Sequence, residues 1–214
     1  MNSIEVPRDH LAAVVTYFEM TEKPADLEHQ TSLALAVWDR PDLSEYRQLF
    51  QKIGNEWLWF GQLLKSDEEL EADLYSDTLE IFRVIMDDVI IGLVELDFSE
   101  ADECEIVYFG LVPEANGKRL GRAMMAETLR HAWKPGLKRV WLHTCTSDSP
   151  NAPRFYKRVG FEAYKREVEI HPDPRLTGHL PKNAGAHVPV IQSVSKKFHP
   201  HPTPGQSIDN KSIR

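Results

Sequence analysis

The sequence is poor in cysteine and has no long apolar run. Its 214 residues include two cysteines, Cys104 and Cys145, too few for the disulfide framework of a small secreted domain. One disulfide could join them, but two buried free thiols are the favoured interpretation. No stretch approaches the roughly 20 apolar residues of a membrane span, and the N-terminus lacks a signal-peptide pattern. We therefore expect a soluble cytoplasmic protein without a membrane partner.

Basic residues are scarce in the first half of the chain. Residues 1–116 carry 26 acidic and 7 basic side chains, whereas residues 117–158 carry 2 acidic and 10 basic ones. A short basic block inside an acidic chain suits a compact polyanionic ligand. Nucleic acid would need a broader basic face, so we expect no nucleic-acid partner.

The signatures of several enzyme classes are missing. Ser147 and Ser149 lack the Gly-x-Ser-x-Gly setting of many serine hydrolases. His199 and His201 have no cysteine or carboxylate at ligand spacing, so no metal is expected. The basic loop after Gly117 lacks the Gly-Lys-Ser/Thr ending of a nucleotide-binding P-loop.

The most informative segment is residues 105–123, EIVYFGLVPEANGKRLGRA. An apolar strand stops at Pro113, which has no N–H to donate to a central ladder. Gly117 and Gly121 then permit a sharp turn, and a helical pattern follows. A helix N-terminus presents unpaired N–H groups at the positive end of its dipole, where anions bind. The segment therefore predicts a phosphate-binding loop. Full positive charge is added by Lys118, Arg119 and Arg122.

Periodicity predicts an α/β (α+β) fold. Strands are predicted over 10–20, 79–86, 89–98, 104–112, 138–145 and 161–170. Helices are predicted over 44–53, after a capping box at Ser66 and Glu69, and over 117–133 and 151–159. The strand–helix–strand unit over 104–145 implies a right-handed parallel crossover, while the preceding strands form hairpins. We therefore expect a mixed, mostly antiparallel central sheet with flanking helices.

This order of elements resembles the GNAT superfamily of N-acetyltransferases, which are related to histone acetyltransferases, over residues 8–170. The family's coenzyme loop, Gln/Arg-x-x-Gly-x-Gly/Ala, falls on residues 116–121, where Asn116 replaces Gln or Arg and Arg119 replaces Gly. A second stretch, NAPRFYKRVGF over 151–161, is similar to the family's Phe/Leu-Tyr-x-x-x-Gly-Phe segment. Beyond this domain we expect an extended arm over 171–197 and a disordered tail over 198–214.

The resemblance implies where a coenzyme would bind. Two strands would splay to admit the pantetheine arm, and the loop N–H groups would hold the pyrophosphate. Since a residue other than glycine resists positive φ, Arg119 leaves the loop geometry open, and its side chain could instead pair with a phosphate. The implied acetyl-CoA-binding residues are Leu111, Val112, Gly117, Lys118, Arg119, Leu120, Gly121, Arg122, Ala123 and Asn151.

The resemblance also implies catalytic residues. An amine with a pKa near 10.4 is neutral in only roughly one molecule in 2,500 at pH 7, so a base must take its proton. Glu105 matches the position of the glutamate base in the histone acetyltransferase branch and is the first candidate, and Glu95 is the second. Tyr156 matches the tyrosine that protonates the leaving thiolate. His143 is interpreted as a core residue or one at the margin of the site.

We therefore expect an acetyl-CoA-dependent N-acetyltransferase that acts by direct transfer to a primary amine. The acidic residues 1–116 predict a cationic acceptor, either a small amine, a polyamine or a peptide amine. The alternative is a non-catalytic acyl-CoA-binding or sensing module, which the two departures in the loop motivate. The arm could also form a homodimer that completes a partner's pocket. The aromatic cluster at Trp57, Trp59 and Phe60 is interpreted as core or pocket wall.

Overall fold

The computed structural model describes residues 3–25 and 32–192. Its strands are β1 (His10–Met20), β2 (Ala34–Val37), β3 (Leu79–Met86), β4 (Val89–Asp97), β5 (Glu103–Leu111), β6 (Arg139–Cys145) and β7 (Glu162–Pro172). Its α-helices are α1 (Leu43–Gly54), α2 (Asp67–Leu74), α3 (Gly121–Ala132) and α4 (Ala152–Arg158). Single 3₁₀ turns occur at Asn55–Trp57, Gly61–Leu63 and Pro113–Ala115.

The strands form one sheet in the order β2-β3-β4-β5-β6-β1-β7. Every neighbouring pair is antiparallel except β5 and β6, which are parallel and joined through α3. The predicted fold class and the predicted crossover are therefore confirmed. The sequence pattern did not predict that β1, the first strand of the chain, lies between β6 and β7.

Two helix starts differ from the prediction. The N-cap of α1 is Asp42, whose carboxylate accepts the N–H groups of Ser44 and Glu45, so the helix begins at Leu43 instead of at Ser44. Helix α3 begins at Gly121 rather than at Gly117. The reason is that residues 117 and 119 have positive φ angles, which a helix does not accept. The capping box of Ser66 and Glu69 is confirmed.

The helices cover both faces of the sheet. Tyr46 of α1 contacts Glu95 of β4, and the ring of His131 in α3 packs at a tilt against Phe82 of β3. Phe82 lies opposite Val94, and neighbouring residues of a strand point to opposite faces. Helices α1 and α3 therefore pack on opposite faces, and we call the face that carries Glu95 the α1 face.

The sheet opens in the middle. Strands β5 and β6 pair only from Glu103 with Arg139 to Glu105 with Trp141, although β5 runs on to Leu111 and β6 to Cys145. A register shift between β4 and β5 places one extra residue, Val107, in β5 at the same level, and such bulges increase twist and bend the strand. The two strands therefore diverge beyond Glu105 and leave a gap between them.

The segment after Pro172 makes successive turns instead of the predicted extended arm. Asp173 and Arg175 form a buried ion pair, with Nη2 to Oδ2 at 2.7 Å. The guanidinium also donates to main-chain carbonyls, which closes the turns. These carbonyls belong to Ala184, Gly185 and Val188.

This arm packs on its own chain. The N–H of Gly185 donates to the carbonyl of Asn55 at 2.9 Å, and Leu180 and Ala184 form a small core with Leu11 and Leu58. The arm therefore stabilises the loop that follows α1. Residues 193–214, which include the end of the predicted arm and the predicted disordered tail, lie outside the described residues.

The structure bears on two expectations from composition, the state of the cysteines and the lack of a membrane span. Cys104 and Cys145 are both free thiols, as the favoured interpretation has it, but only Cys104 is buried, whereas Cys145 is partly exposed. Within residues 3–25 and 32–192, no helix combines the length and apolar character needed to cross a bilayer.

Candidate active site

A cavity of about 800 Å³ opens at the gap between β5 and β6. Its walls come from the loop after α1, the second half of β5, the loop before α3, the end of β6, the start of α4 and the last residues of β7. The cavity therefore reaches from the phosphate-binding loop predicted from the sequence to a region built from distant segments. We call these two parts the coenzyme end and the acceptor end.

The loop at the coenzyme end has the left-handed geometry that the sequence left open. Gly117 has a φ of 76° and Arg119 a φ of 62°, so Arg119 adopts the conformation that glycine takes more easily, at a cost of about 1–2 kcal/mol. The helix then begins at Gly121, and its N-cap, Leu120, supplies no side-chain hydrogen bond. The first N–H groups of α3 thus have no partner within the helix and are available to an anion.

The free edge of β5 supplies further main-chain groups. Val112 donates its N–H to Ile91 at 2.9 Å, and its carbonyl accepts the N–H of Ala115. Val112 is therefore already bonded within the protein. Because successive N–H groups of a strand point to opposite edges, the N–H of Leu111 points into the gap instead.

The cavity brings together most of the residues predicted to bind the coenzyme, but not all of them. Those that line it, together with the predicted acid, are Leu111, Gly117, Arg119, Leu120, Gly121, Asn151 and Tyr156. Those outside its lining are Val112, Lys118, Arg122 and Ala123, together with the candidate bases Glu105 and Glu95.

Tyr156 is a residue of α4 and lines the cavity between its two ends. Its ring packs against Phe18 and Phe161, with centroids 5.7 and 6.1 Å away, and burial raises the pKa of its hydroxyl well above 10. The hydroxyl has no hydrogen-bond partner among the described residues. Tyr156 is therefore a protonated phenol that can donate into the cavity.

Glu105 reaches the cavity through a second residue. Its Oε1 lies 3.3 Å from Nδ1 of His143, the cross-gap neighbour on β6. The hydrogen bond from this contact, which outweighs the effect of burial, raises the pKa of His143 above 6.5. His143 itself lines the cavity, and 42% of its side chain is exposed. From the sequence, His143 was interpreted as a core residue or one at the margin of the site, because nothing local pairs it with Glu105.

Glu95, the second candidate base, is sealed inside the protein. It is fully buried, and Tyr46 donates a 2.5 Å hydrogen bond to its Oε1, while no described group is bonded to Oε2. Burial raises the pKa of Glu95 to about 7, against the opposing effect of the Tyr46 hydrogen bond. Glu95 therefore lies beside Tyr108, its cross-strand neighbour in the cavity wall, and does not itself line the cavity.

Aromatic side chains form one wall of the acceptor end. Trp57, Trp59 and Phe60 line it, so this cluster lies at the wall of the pocket. Trp59 fits because Gly110 has no side chain: a Cβ there would lie 2.8 Å from the Trp59 ring and 2.5 Å from Ile53. The glycine in β5 therefore makes room for an aromatic wall.

Asp148 is a site residue that the sequence analysis missed. Its carboxylate accepts hydrogen bonds from the hydroxyl of Thr144 and the N–H of Cys145, at 2.7 and 2.8 Å, and from the Trp59 indole at 3.2 Å. Asp148 thus connects the aromatic wall to the end of β6 through hydrogen bonds. An acid in the turn before α4 was the available signal.

Further acids face the acceptor end from other segments. Glu56 lies beside the aromatic wall, and Glu169 and His171 lie near the end of β7. Glu169 reaches the cavity because β7 pairs with β1, where it faces Ala13. This pairing joins the two ends of the domain, so no local pattern predicts it. Within the part of the chain that the structure describes, no group of three or more His, Cys, Asp or Glu side chains could hold a metal ion.

A parallel strand pair that opens beside a glycine-containing loop and a helix N-terminus is the arrangement that the sequence resemblance implies for an acetyltransferase. The model of the Acetyltransferase (GNAT) family matches residues 44–161, more than half of the chain. The chain belongs to this family, so the predicted family is confirmed.

Individual relatives share only part of this chain. It is 38% identical over 74 residues to a mycothiol acetyltransferase of Frankia casuarinae, a match that covers 35% of this chain and 21% of the relative. It is 29% identical over 111 residues to a mycothiol acetyltransferase of Frankia alni, covering 47% of this chain and 33% of the relative. The chain thus matches no more than a third of the length of either.

Solved structures share the fold. A GCN5-related N-acetyltransferase from Sphaerobacter thermophilus superposes with a TM-score of 0.56 at 16% identity, covering 75% of this chain and 51% of that one. An acetyltransferase from Thermus thermophilus gives 0.51 at 18% identity, covering 68% and 99%. At these identities the likeness establishes the architecture.

Proposed function

We propose that this protein transfers the acetyl group of acetyl-CoA directly to a primary amine of a cationic acceptor. One observation carries the proposal: a single cavity joins a loop of free main-chain donors to an end with acids and aromatic rings, through the gap between β5 and β6. A donor thioester and an acceptor amine could both occupy this cavity and meet at the gap.

The coenzyme end has the chemistry to hold a diphosphate and a pantetheine arm. The free N–H groups around Gly121 and the guanidinium of Arg119 suit phosphate oxygens, and the free edge of β5 near Leu111 suits the amides of pantetheine. Asn151 lines the same cavity and could orient the coenzyme from the side of α4. Acetyl-CoA would supply an acetyl thioester whose sulfur leaves as a thiolate.

The acceptor end has the chemistry to attract a cation. Glu56, Asp148 and Glu169 contribute negative charge, and Trp57 and Trp59 offer ring faces to which an ammonium group is attracted. The charge imbalance of the sequence therefore recurs at one end of the cavity, where it favours a polyamine, an aminoglycoside-like amine or a peptide amine.

Tyr156 would provide the proton that the leaving sulfur needs. Its raised pKa keeps it protonated at neutral pH, and its hydroxyl has no competing acceptor among the described side chains. The amine must lose a proton before it attacks, and the pair of Glu105 and His143 lies on the wall where that amine would enter.

Two measurements on the same preparation test the proposal. Calorimetry with coenzyme A should show binding, and a thiol-release assay with acetyl-CoA should show transfer to cationic amines. The amine panel should include spermidine, an aminoglycoside, a lysine peptide and the acceptor of mycothiol acetyltransferases, with aspartate and a neutral arylamine as controls. Preference for the controls would contradict the cationic acceptor, and binding without transfer to any amine would instead support a non-catalytic acyl-CoA sensor.

A further inference from the structure

We infer that His143 is the residue that takes the proton from the acceptor amine, and that Glu105 is a positioning residue which orients it. This inference rests on the proposed acetyl transfer and refines its catalytic residues. It assigns to a histidine the role that the sequence resemblance implies for the glutamate.

His143 is the more accessible residue of the pair. His143 lines the cavity, whereas Glu105 lies outside its lining. The two residues face each other across the point where β5 and β6 begin to diverge, and both lie on the α1 face. The histidine is therefore the member of the pair that an amine in the acceptor end can reach.

The contact with Glu105 also selects the tautomer of the His143 imidazole. Nδ1 lies 3.3 Å from Oε1 of Glu105, so in the neutral ring the proton is on Nδ1 and the lone pair is on Nε2. The structure gives Nε2 no partner among the described residues. Nε2 can therefore accept the proton that leaves the acceptor nitrogen and release it to solvent after transfer.

The imidazole of His143 is also held in place by its neighbours. The ring of His143 packs on Tyr17, with centroids 5.6 Å apart, and the hydroxyl of Tyr17 is fixed by a 2.7 Å hydrogen bond to Glu167. The imidazole is thus held from β5 by Glu105 and from β1 by Tyr17. A base held in one orientation needs no rearrangement to accept a proton.

The surroundings of His143 set the direction of its pH dependence. Carboxylates are the majority, and they favour the imidazolium form. Glu105 therefore holds the pKa of His143 above 6.5, and since only neutral imidazole accepts a proton, activity should rise with pH through that value. The titratable groups around the ring are Glu105 and Tyr108 on β5, Tyr17 on β1, Lys165, Glu167 and Glu169 on β7, and Asp148 after β6.

The test uses His143→Gln and Glu105→Gln in the full chain, with His179→Gln as the matched control. His179 lies on the exposed part of the arm, where it pairs with Thr177. We expect His143→Gln to lower kcat/KM about 10²–10⁴-fold and to remove the acidic limb of the pH profile, with coenzyme A affinity unchanged. Glu105→Gln should keep that limb and move its midpoint to lower pH. His179→Gln should resemble the wild type.

A readout without turnover accompanies the kinetics. The ring signals of His143, assigned by their loss in His143→Gln, should titrate above pH 6.5 in the wild type and at lower pH in Glu105→Gln. Unfolding curves should show that both variants are folded, because the side chain of His143 is 42% exposed.

The outcomes separate the inference from the proposed function. A wild type that acetylates amines while His143→Gln retains its rate and its acidic limb would overturn the role of His143 alone. Loss of the limb in Glu105→Gln but not in His143→Gln would make the glutamate the base. A wild type that binds coenzyme A and acetylates no amine would overturn the proposed function and this inference with it.

Discussion

The two ends of the cavity are built in different ways. The coenzyme end comes from neighbouring segments of the chain, which are the end of β5, the loop over 116–121 that follows it and the start of α4. The acceptor end comes from the loop after α1, the end of β6 and the end of β7, with the C-terminal arm packed behind it. A local motif can specify the first, whereas only the assembled fold specifies the second.

This difference suggests that substitutions should separate the two ends kinetically. Changes at the coenzyme end should affect the binding of coenzyme A, and changes at the acceptor end should affect the binding of the amine. Changes at the junction of the two ends, where Tyr156 lies, should affect the chemical step.

The largest effect is expected at the junction. Tyr156→Phe keeps the ring contacts with Phe18 and Phe161 and removes only the hydroxyl proton. We expect kcat to fall about 10²–10⁴-fold, with coenzyme A affinity and thermal stability close to those of the wild type. Steady-state kinetics and calorimetry measure this. Phe155→Leu, on the same helix, controls for loss of packing, and a kcat of Tyr156→Phe near the wild-type value would exclude the tyrosine as the acid.

The next effect concerns the arm behind the acceptor end. Arg175→Met leaves Asp173 buried without its partner, and breaking such a pair costs about 3–5 kcal/mol. Because the arm packs on Leu58 and His187 contacts the carbonyl of Ser147 at 3.0 Å, we expect a higher KM for the amine with an unchanged KM for acetyl-CoA. Limited proteolysis measures the loss of arm stability, and substrate titrations measure the two KM values.

A matched substitution makes this test specific. Arg166→Met removes an exposed arginine of β7 and should change neither KM. Burial alone would raise the pKa of Asp173, but Arg175 holds it below 3.8, so the stability from this pair is present above pH 3.8 and is lost as the pH falls further. Equal effects on both substrates would show that the arm does not act on the acceptor end alone. Concentration-dependent proteolysis would favour an arm that pairs two chains.

A smaller effect is expected behind the acceptor wall. The pKa of Glu95 is about 7 in the folded protein against 4.5 for an ordinary glutamate, so the folded state binds more protons between these values. Stability should therefore fall as pH rises from 4.5 to 7, by about 2–3 kcal/mol. Glu95→Gln should remove this fall, which denaturant unfolding at pH 5 and pH 8 measures.

Glu100→Gln, at an exposed carboxyl, is the control for this pH dependence and should leave it in place. Parallel curves for Glu95→Gln and the wild type would contradict a protonated Glu95. A loss of activity as large as that expected for His143→Gln would instead return Glu95 to the position of candidate base.

The elements that depend on interactions between nearby residues could be predicted from the sequence. The capping box at Ser66 and the crossover over 104–145 follow from caps, periodicity and the handedness of the chain. The acceptor end depends on pairings between remote segments, such as β1 with β7, and these have no local pattern. Glu169 was missed for that reason, and His143 was assigned no function because its partner Glu105 lies on a different strand. Asp148 was missed although its position in the turn before α4 is a local signal.

Arg119 is the position at which the sequence left the geometry open, and it gives the smallest expected effect. Its left-handed φ of 62° costs about 1–2 kcal/mol, while glycine in its place would cost about 0.5–1 kcal/mol in backbone entropy. Arg119→Gly should therefore change the free energy of unfolding by about 1 kcal/mol or less. If the guanidinium contacts a phosphate, the same change should weaken coenzyme A binding about tenfold.

Two further variants separate the effect of the backbone conformation at position 119 from the effect of the guanidinium charge. Arg119→Asn accepts the left-handed conformation without a charge, so it should bind coenzyme A as weakly as Arg119→Gly. Lys118→Ala, next to it but outside the lining of the cavity, should bind nearly as well as the wild type. If calorimetry finds Arg119→Gly and Arg119→Asn equal to the wild type, then the guanidinium does not contact a phosphate, and the main-chain N–H groups of the loop hold the diphosphate without it.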